Sequence, residues 1–179
     1  VGEALSLLLR ALSRNTSVTT LSMDTAVVNF VSVAFEVLLT STQMLQKLQI
    51  FGYEYDPFYQ VQTAAIASGF ANNTTLRDLE FNSWRETDLA PVLTALKRHP
   101  ALEKIHFGET YRNCLPSLSG LEVLLRSQDS KVKELVLEKV NIDTVGLRPV
   151  MQELGRNTTL TSLTFRNSRL NHESVQQLK

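Results

Sequence analysis

Three nine-residue strings in this chain are nearly the same: NTSVTTLSM from Asn15 to Met23, NTTLRDLEF from Asn73 to Phe81 and NTTLTSLTF from Asn157 to Phe165. Each carries one frame: an apolar residue, two polar residues, a second apolar residue, one spacer and a third apolar residue. Sliding the frame along the chain finds it six times, at Val18/Leu21/Met23, Leu45/Leu48/Ile50, Leu76/Leu79/Phe81, Leu102/Ile105/Phe107, Val132/Leu135/Leu137 and Leu160/Leu163/Phe165. The first positions are separated by 27, 31, 26, 30 and 28 residues. One copy of so short a frame means little. Six copies at a near-constant period mean a repeat architecture, and that constrains the fold before any single element is read.

The period has a physical reading. The last three residues of each frame alternate in-out-in, as in a strand buried on one face. Between frames lie segments with apolar residues three and four apart: 31–39, 59–71, 88–97, 118–126 and 144–154, with a partial helix at 3–13. In the last full segment Val145, Leu147, Val150, Met151 and Leu154 fall largely on one helix face. Each unit is therefore strand, turn, helix, turn, and the class is α/β. One such unit cannot cover its own apolar face. Stacked units share a core, with a parallel sheet as one layer and helices as the other. Asp88 and Thr144 are expected helix N-caps, and Pro100 and Gly155 are expected stops. The recurring Asn would sit in the helix-to-strand turn, left-handed or bonded locally to backbone.

On these residues the chain resembles a leucine-rich-repeat protein of the ribonuclease-inhibitor-like class, whose repeats run to about 28 residues. The segment LTSLTFRNSRL, Leu160 to Leu170, fits the family frame L-x-x-L-x-L-x-x-N-x-L except for Ser168 at the Asn. The resemblance spans residues 1–179 as a single array of about six repeats. It implies a right-handed solenoid, a horseshoe segment with the parallel sheet on the concave side and helices on the convex side. Arrays of this class occur in cytosolic innate-immune receptors, Ran GTPase activators, actin-capping tropomodulins and bacterial effectors. The family's Asn position falls on Ala26, Tyr53, Trp84, Thr110, Val140 and Ser168, so the family's backbone-bonding ladder is expected to be missing. Two connections are longer than the rest, and their extra residues are expected near 52–59 and 108–117 to bulge from an edge. The chain shows no polar end caps and no initiator Met, and it is expected to be a piece of a longer protein, in contact with flanking domains.

Charge excludes several functions. Lys and Arg total 18, as do Asp and Glu, so no bulk positive field attracts nucleic acid. No apolar run approaches the ~18–20 residues of a membrane span. VGEALSLLLRALSRN has no basic leader and is not read as a signal peptide. The single cysteine, Cys114, excludes an internal disulfide and favours a reducing, cytoplasmic location. No His/Cys/Asp spacing suits a metal, no phosphate loop is present and no catalytic constellation forms, so neither cofactor nor enzymatic activity is expected. His99 in RHP is read as a partly exposed structural or capping residue. Cys114 is read as unreactive, and His172 has no evident partner. The sequons at Asn15, Asn73 and Asn157 have a structural explanation in the repeat.

What remains is the sheet face away from the helices. Its rows are expected to be Thr20, Lys47, Asp78, Lys104, Glu134, Ser162; then Ser22, Gln49, Glu80, His106, Val136, Thr164; then Asp24, Phe51, Asn82, Gly108, Glu138, Arg166. The candidate partner-binding residues are Lys47, Gln49, Phe51, Asp78, Glu80, Asn82, Lys104, His106, Glu134, Glu138 and Arg166. Their charges suit a complementary protein, or pair across strands as a solvated face. Phe51 is expected on the exposed side, where it is a candidate aromatic anchor or one of the scattered apolar residues that surfaces ordinarily carry. Tyr53 and Trp84 are expected to fill turn interiors, and Tyr55, Phe58 and Tyr59 to form a contact loop or a plug. The expected function is protein–protein recognition or scaffolding within a larger cytosolic protein. The alternative is an accessory segment of a GTPase regulator or enzyme whose catalytic part lies elsewhere, with Arg85, Arg112 or Arg166 as donors. A third reading is a mere spacer.

Overall fold

The computed structural model describes residues 2–51, 63–82, 86–108, 120–139, 141–142 and 144–170. The elements run α1 (Gly2–Leu12), β1 (Thr20–Asp24), α2 (Thr25–Phe30), α3 (Ser32–Ser41), β2 (Lys47–Phe51), α4 (Thr63–Asn72), β3 (Asp78–Asn82), α5 (Glu86–Leu96), β4 (Lys104–Gly108), α6 (Leu121–Arg126), β5 (Glu134–Glu138), β6 (Asn141–Ile142), α7 (Thr144–Leu154), β7 (Ser162–Arg166) and β8 (Arg169–Leu170). Six strands form one all-parallel sheet in the order β1-β2-β3-β4-β5-β7. Each strand is joined to the next through a helix, as parallel pairing requires. Among the described residues no helix is long and apolar enough to cross a membrane.

The frame builds the sheet as its alternation predicts. Leu48, Ile50, Leu79, Phe81, Ile105 and Leu137 are buried against the helices, while the spacers between them face the other way. Four phenylalanines thread this core. Phe35 meets Phe70 edge-on at 6.4 Å, Phe70 meets Phe81 edge-on at 6.3 Å, and Phe81 stacks on Phe107 at 5.7 Å. These are favoured aromatic geometries, and they tie α3 to α4, α4 to β3 and β3 to β4. The residue before each of β1 to β5 repeats one bond pattern. Its carbonyl accepts two successive N–H groups of the following unit, as Thr19 does from Gln46 and Lys47 at 2.8 and 2.9 Å.

A polar spine, buried at Thr42, Asn73, His99 and Ser130 and half-buried at Asn15 and Asn157, runs along the helix-to-strand turns, in most units three residues before the frame. Asn73 Oδ1 accepts from the N–H groups of Thr75 and Leu76 at 3.1 and 2.8 Å, and its Nδ2 donates to Leu39 O of the preceding unit at 2.7 Å. Asn157 repeats this with Thr159, Leu160 and Leu125 O. Asn15 accepts from Ser17 and Val18. Thr42 takes the same place with Leu45 N–H, and His99 with the N–H groups of Ala101 and Leu102. In the fifth unit Ser130, one residue later, serves Val132. None of these Asn residues is left-handed: the non-glycine residues with positive φ, among those described, are Lys139 and Asn167. Local bonding to backbone is therefore the reason for the repeated Asn. The same bonds occupy the amide nitrogens of Asn73 and Asn157, which a glycan would need.

Several expectations are corrected. The first unit's turn is replaced by a short helix, α2, which takes in Ala26. Asp88 lies inside α5 and Thr144 is the first residue of α7, so neither is the cap. Helix α5 ends at Leu96, before Pro100, whereas Gly155 directly follows α7 and its N–H bonds Met151 O at 3.1 Å. Pro91 and Pro149 occupy the sixth residue of α5 and α7, a place where proline removes a helix hydrogen bond. Ser168 does bond the backbone, to Leu137 O and Arg166 O at 3.1 Å each, so one rung of the ladder expected to be missing is present. His99 is 2% exposed rather than partly exposed. The long connections, with Tyr53, Tyr55, Phe58, Tyr59, Trp84, Arg85, Thr110, Arg112, Cys114, Val140 and His172, lie outside the described residues.

Candidate functional site

The candidate residues stand on the helix-free face of the sheet because strand register puts them there. Ser22 pairs with Gln49, Gln49 with Glu80, Glu80 with His106, His106 with Val136 and Val136 with Thr164. The flanking row runs Thr20, Lys47, Asp78, Lys104, Glu134, Ser162 without a slip. In the third row Asp24, Phe51, Asn82 and Gly108 are aligned, and Glu138 aligns with Arg166. A one-residue slip anywhere would have turned these side chains into the core.

The middle row is a chain of polar contacts that ends on Glu138 of the third row, hydrogen-bonded from Ser22 to Glu80 and from His106 to Glu138, with a longer contact between Glu80 and His106. Ser22 Oγ donates to Gln49 Oε1 at 2.6 Å, and Gln49 Nε2 donates to Glu80 Oε2 at 2.7 Å. Glu80 Oε1 accepts from Asn82 Nδ2 at 2.9 Å and lies 3.7 Å from His106 Nδ1. His106 Nε2 reaches Glu138 Oε2 at 3.2 Å. Partial burial pushes the Glu80 carboxyl upward, but the amides of Gln49 and Asn82, with His106 and Lys47 nearby, outweigh it. The group is held below its ordinary carboxylate range and stays ionised at neutral pH.

The outer row pairs its charges. Lys47 meets Asp78 at 3.2 Å and Lys104 meets Glu134 at 3.1 Å. Such exposed pairs are worth ~0–1 kcal/mol each, so they set charge pattern more than stability. Cross-strand pairing of charges, one of the two expectations for this face, is thus what the outer row does. The dissent comes from two apolar positions. Phe51 is half-buried rather than an exposed anchor, and Val136 is 5% exposed although its register faces outward. Among the described residues, the large apolar side chains that are exposed lie on the helices instead: Leu7, Leu8, Phe30, Val33 and Val37. Arg166 is exposed at the edge of the face.

Gly108 explains how Asn82 reaches Glu80. The Asn82 amide lies directly over the Gly108 Cα, in the space a Cβ would fill. Gly108→Ala is expected to push that flexible side chain aside and break its bond to Glu80. The expected cost is about 1 kcal/mol, the worth of one such bond. Denaturant melts would measure it, and the Asn82 side-chain amide resonances should move while core resonances stay. Among the described residues no group of three or more His, Cys, Asp or Glu is arranged to hold a metal ion. No protein-family model matches the chain, and no curated protein matches it.

Proposed function

We propose that the chain is a leucine-rich-repeat array of the ribonuclease-inhibitor-like class, a right-handed solenoid, whose helix-free sheet face binds a protein partner in the cytoplasm. The observation that carries this reading is the five-strand row from Ser22 to Glu138. Its polar side chains are already held by one another. A partner docking on them loses little further side-chain freedom, and that cost is a main brake on association. The mixed charges around the row select a complementary protein rather than a polyanion.

The test is capture from cell extract by the intact chain beside two folded variants, Glu80→Lys and Phe51→Ala. Glu80→Lys reverses charge at the centre of the row. One partner recovered by the native chain should fall about tenfold or more with Glu80→Lys, which corresponds to ~1.4 kcal/mol. Circular dichroism checks that both variants keep their fold. Equal recovery of that partner by all three proteins would move the contact off this face and remove the basis for the proposal.

A further inference from the structure

At the ends of α6 and α7 lies a half-open polar pocket of about 530 Å³, lined by Leu125, Arg126, Gln128, Gln152, Glu153 and Arg156. Glu153 is its distinctive member, a carboxylate only 6% exposed. Its Oε1 accepts from both Arg126 Nη2 at 3.0 Å and Arg126 Nε at 3.1 Å. Both bonds fall on one oxygen. Among the described residues, Oε2 has no partner, and neither do the side chains of Gln128, Gln152 and Arg156. A buried carboxylate oxygen without a donor is uncommon in native proteins and calls for a partner. Glu153 lines this pocket together with the guanidinium of Arg156 and the amides of Gln128 and Gln152, none of which has a side-chain partner among the described residues.

We propose that this cavity binds the C-terminal end of a peptide chain. The ligand must bring an N–H donor to Glu153 Oε2 and an anion to Arg156, close together. The last residue of a peptide has both, since its amide N–H and its α-carboxylate flank one carbon. Arg156 takes the carboxylate, where guanidinium geometry suits two parallel bonds. Glu153 Oε2 takes the N–H. Gln128 and Gln152 supply donors and acceptors for the preceding peptide unit, and Leu125 offers an apolar wall to the terminal side chain. Arg126 stays on Oε1 and holds the Glu153 carboxylate in place.

The probe is the N-acetylated tetrapeptide Ala-Ala-Ala-Leu with a free carboxylate, titrated into the full chain and followed by amide NMR. Saturable shifts confined to Gln128, Gln152, Glu153 and Arg156 are expected, with a Kd of roughly a millimolar for so few contacts. Arg156→Ala, an exposed substitution with no fold role, should weaken binding about tenfold, and Glu153→Gln should weaken it also. The peptide with an amidated C-terminus should not saturate. No saturation by the free acid, an undiminished response from the amidated peptide, or full affinity in Arg156→Ala would each overturn the proposal. Equal or tighter binding of free leucine would overturn it in favour of an amino-acid site.

Discussion

Asn73→Ala is expected to lower the folding free energy by roughly 3–5 kcal/mol, the summed cost of stranding several buried polar groups. Asn73 is 1% exposed. Its removal leaves the N–H groups of Thr75 and Leu76, the carbonyl of Leu39 and the His99 ring without their partner. These groups belong to three successive units, so the loss is felt between units as well as within one turn. Asn157→Ala is the internal comparison. It removes the same kinds of bond, but Asn157 and its neighbours are only half-buried, and water can replace what is lost. Its expected cost is ~1–2 kcal/mol. Urea or guanidinium melts of both variants decide the matter. Equal losses would mean that burial is not what gives the spine its strength.

Acid should unfold the chain through His99. The Nδ1 atom accepts from Leu102 N–H at 3.0 Å and Ala101 N–H at 3.3 Å, so it carries no proton. The proton sits on Nε2, which donates to Asn73 Oδ1 at 3.2 Å. A second proton could enter only at Nδ1, against two N–H groups and inside the core. Burial accordingly lowers the pKa from 6.5 to about 4. The folded state thus binds fewer protons than the unfolded state between these values. Stability from this group is fully present above pH 6.5, is lost as pH falls from there toward 4, and levels off below. The loss over that window is about 3 kcal/mol, at ~1.4 kcal/mol per pKa unit. His99→Asn places at this turn the residue that three other units already use, without a titrating group. Melts at several pH values should show the native slope largely gone in His99→Asn. An unchanged slope would mean that the acid response resides in other groups.

The two predictions meet at one bond, Nε2 of His99 to Oδ1 of Asn73. Protonation does not remove the Nε2 donor; it ejects the two backbone N–H groups from Nδ1. The expected acid loss should therefore persist in part in Asn73→Ala, where His99 is still buried. Non-additivity between the two variants would measure how far the neighbouring turns act as a unit.

Much of the fold was legible because the relevant signals are local and recur. The frame set which residues of each strand face the core, since a strand has period two. The near-constant spacing then set which residues lie side by side on neighbouring strands, and the expected rows match the observed register. The turn Asn was legible three times, because three units write it the same way. It was not legible at Thr42, His99 and Ser130, where other side chains supply the same acceptor. Helix α2 was missed because its six residues give too short a stretch for helical periodicity to register.

Other features were decided only by tertiary structure, for one physical reason. They depend on where side-chain tips come to rest after units stack. Nothing in the spacing of Glu80, Asn82 and Gly108 says that the amide lies over the glycine. Likewise Val136 has an outward register and yet is buried, because exposure belongs to the assembled surface and not to the strand. Glu153 and Arg126 stand 27 residues apart and meet only when α7 docks on α6. The sequence by itself determined the repeat, the parallel sheet and the rows. The stacking of units decided which polar groups are satisfied, which are buried, and which, like Glu153 Oε2, find no partner among the described residues.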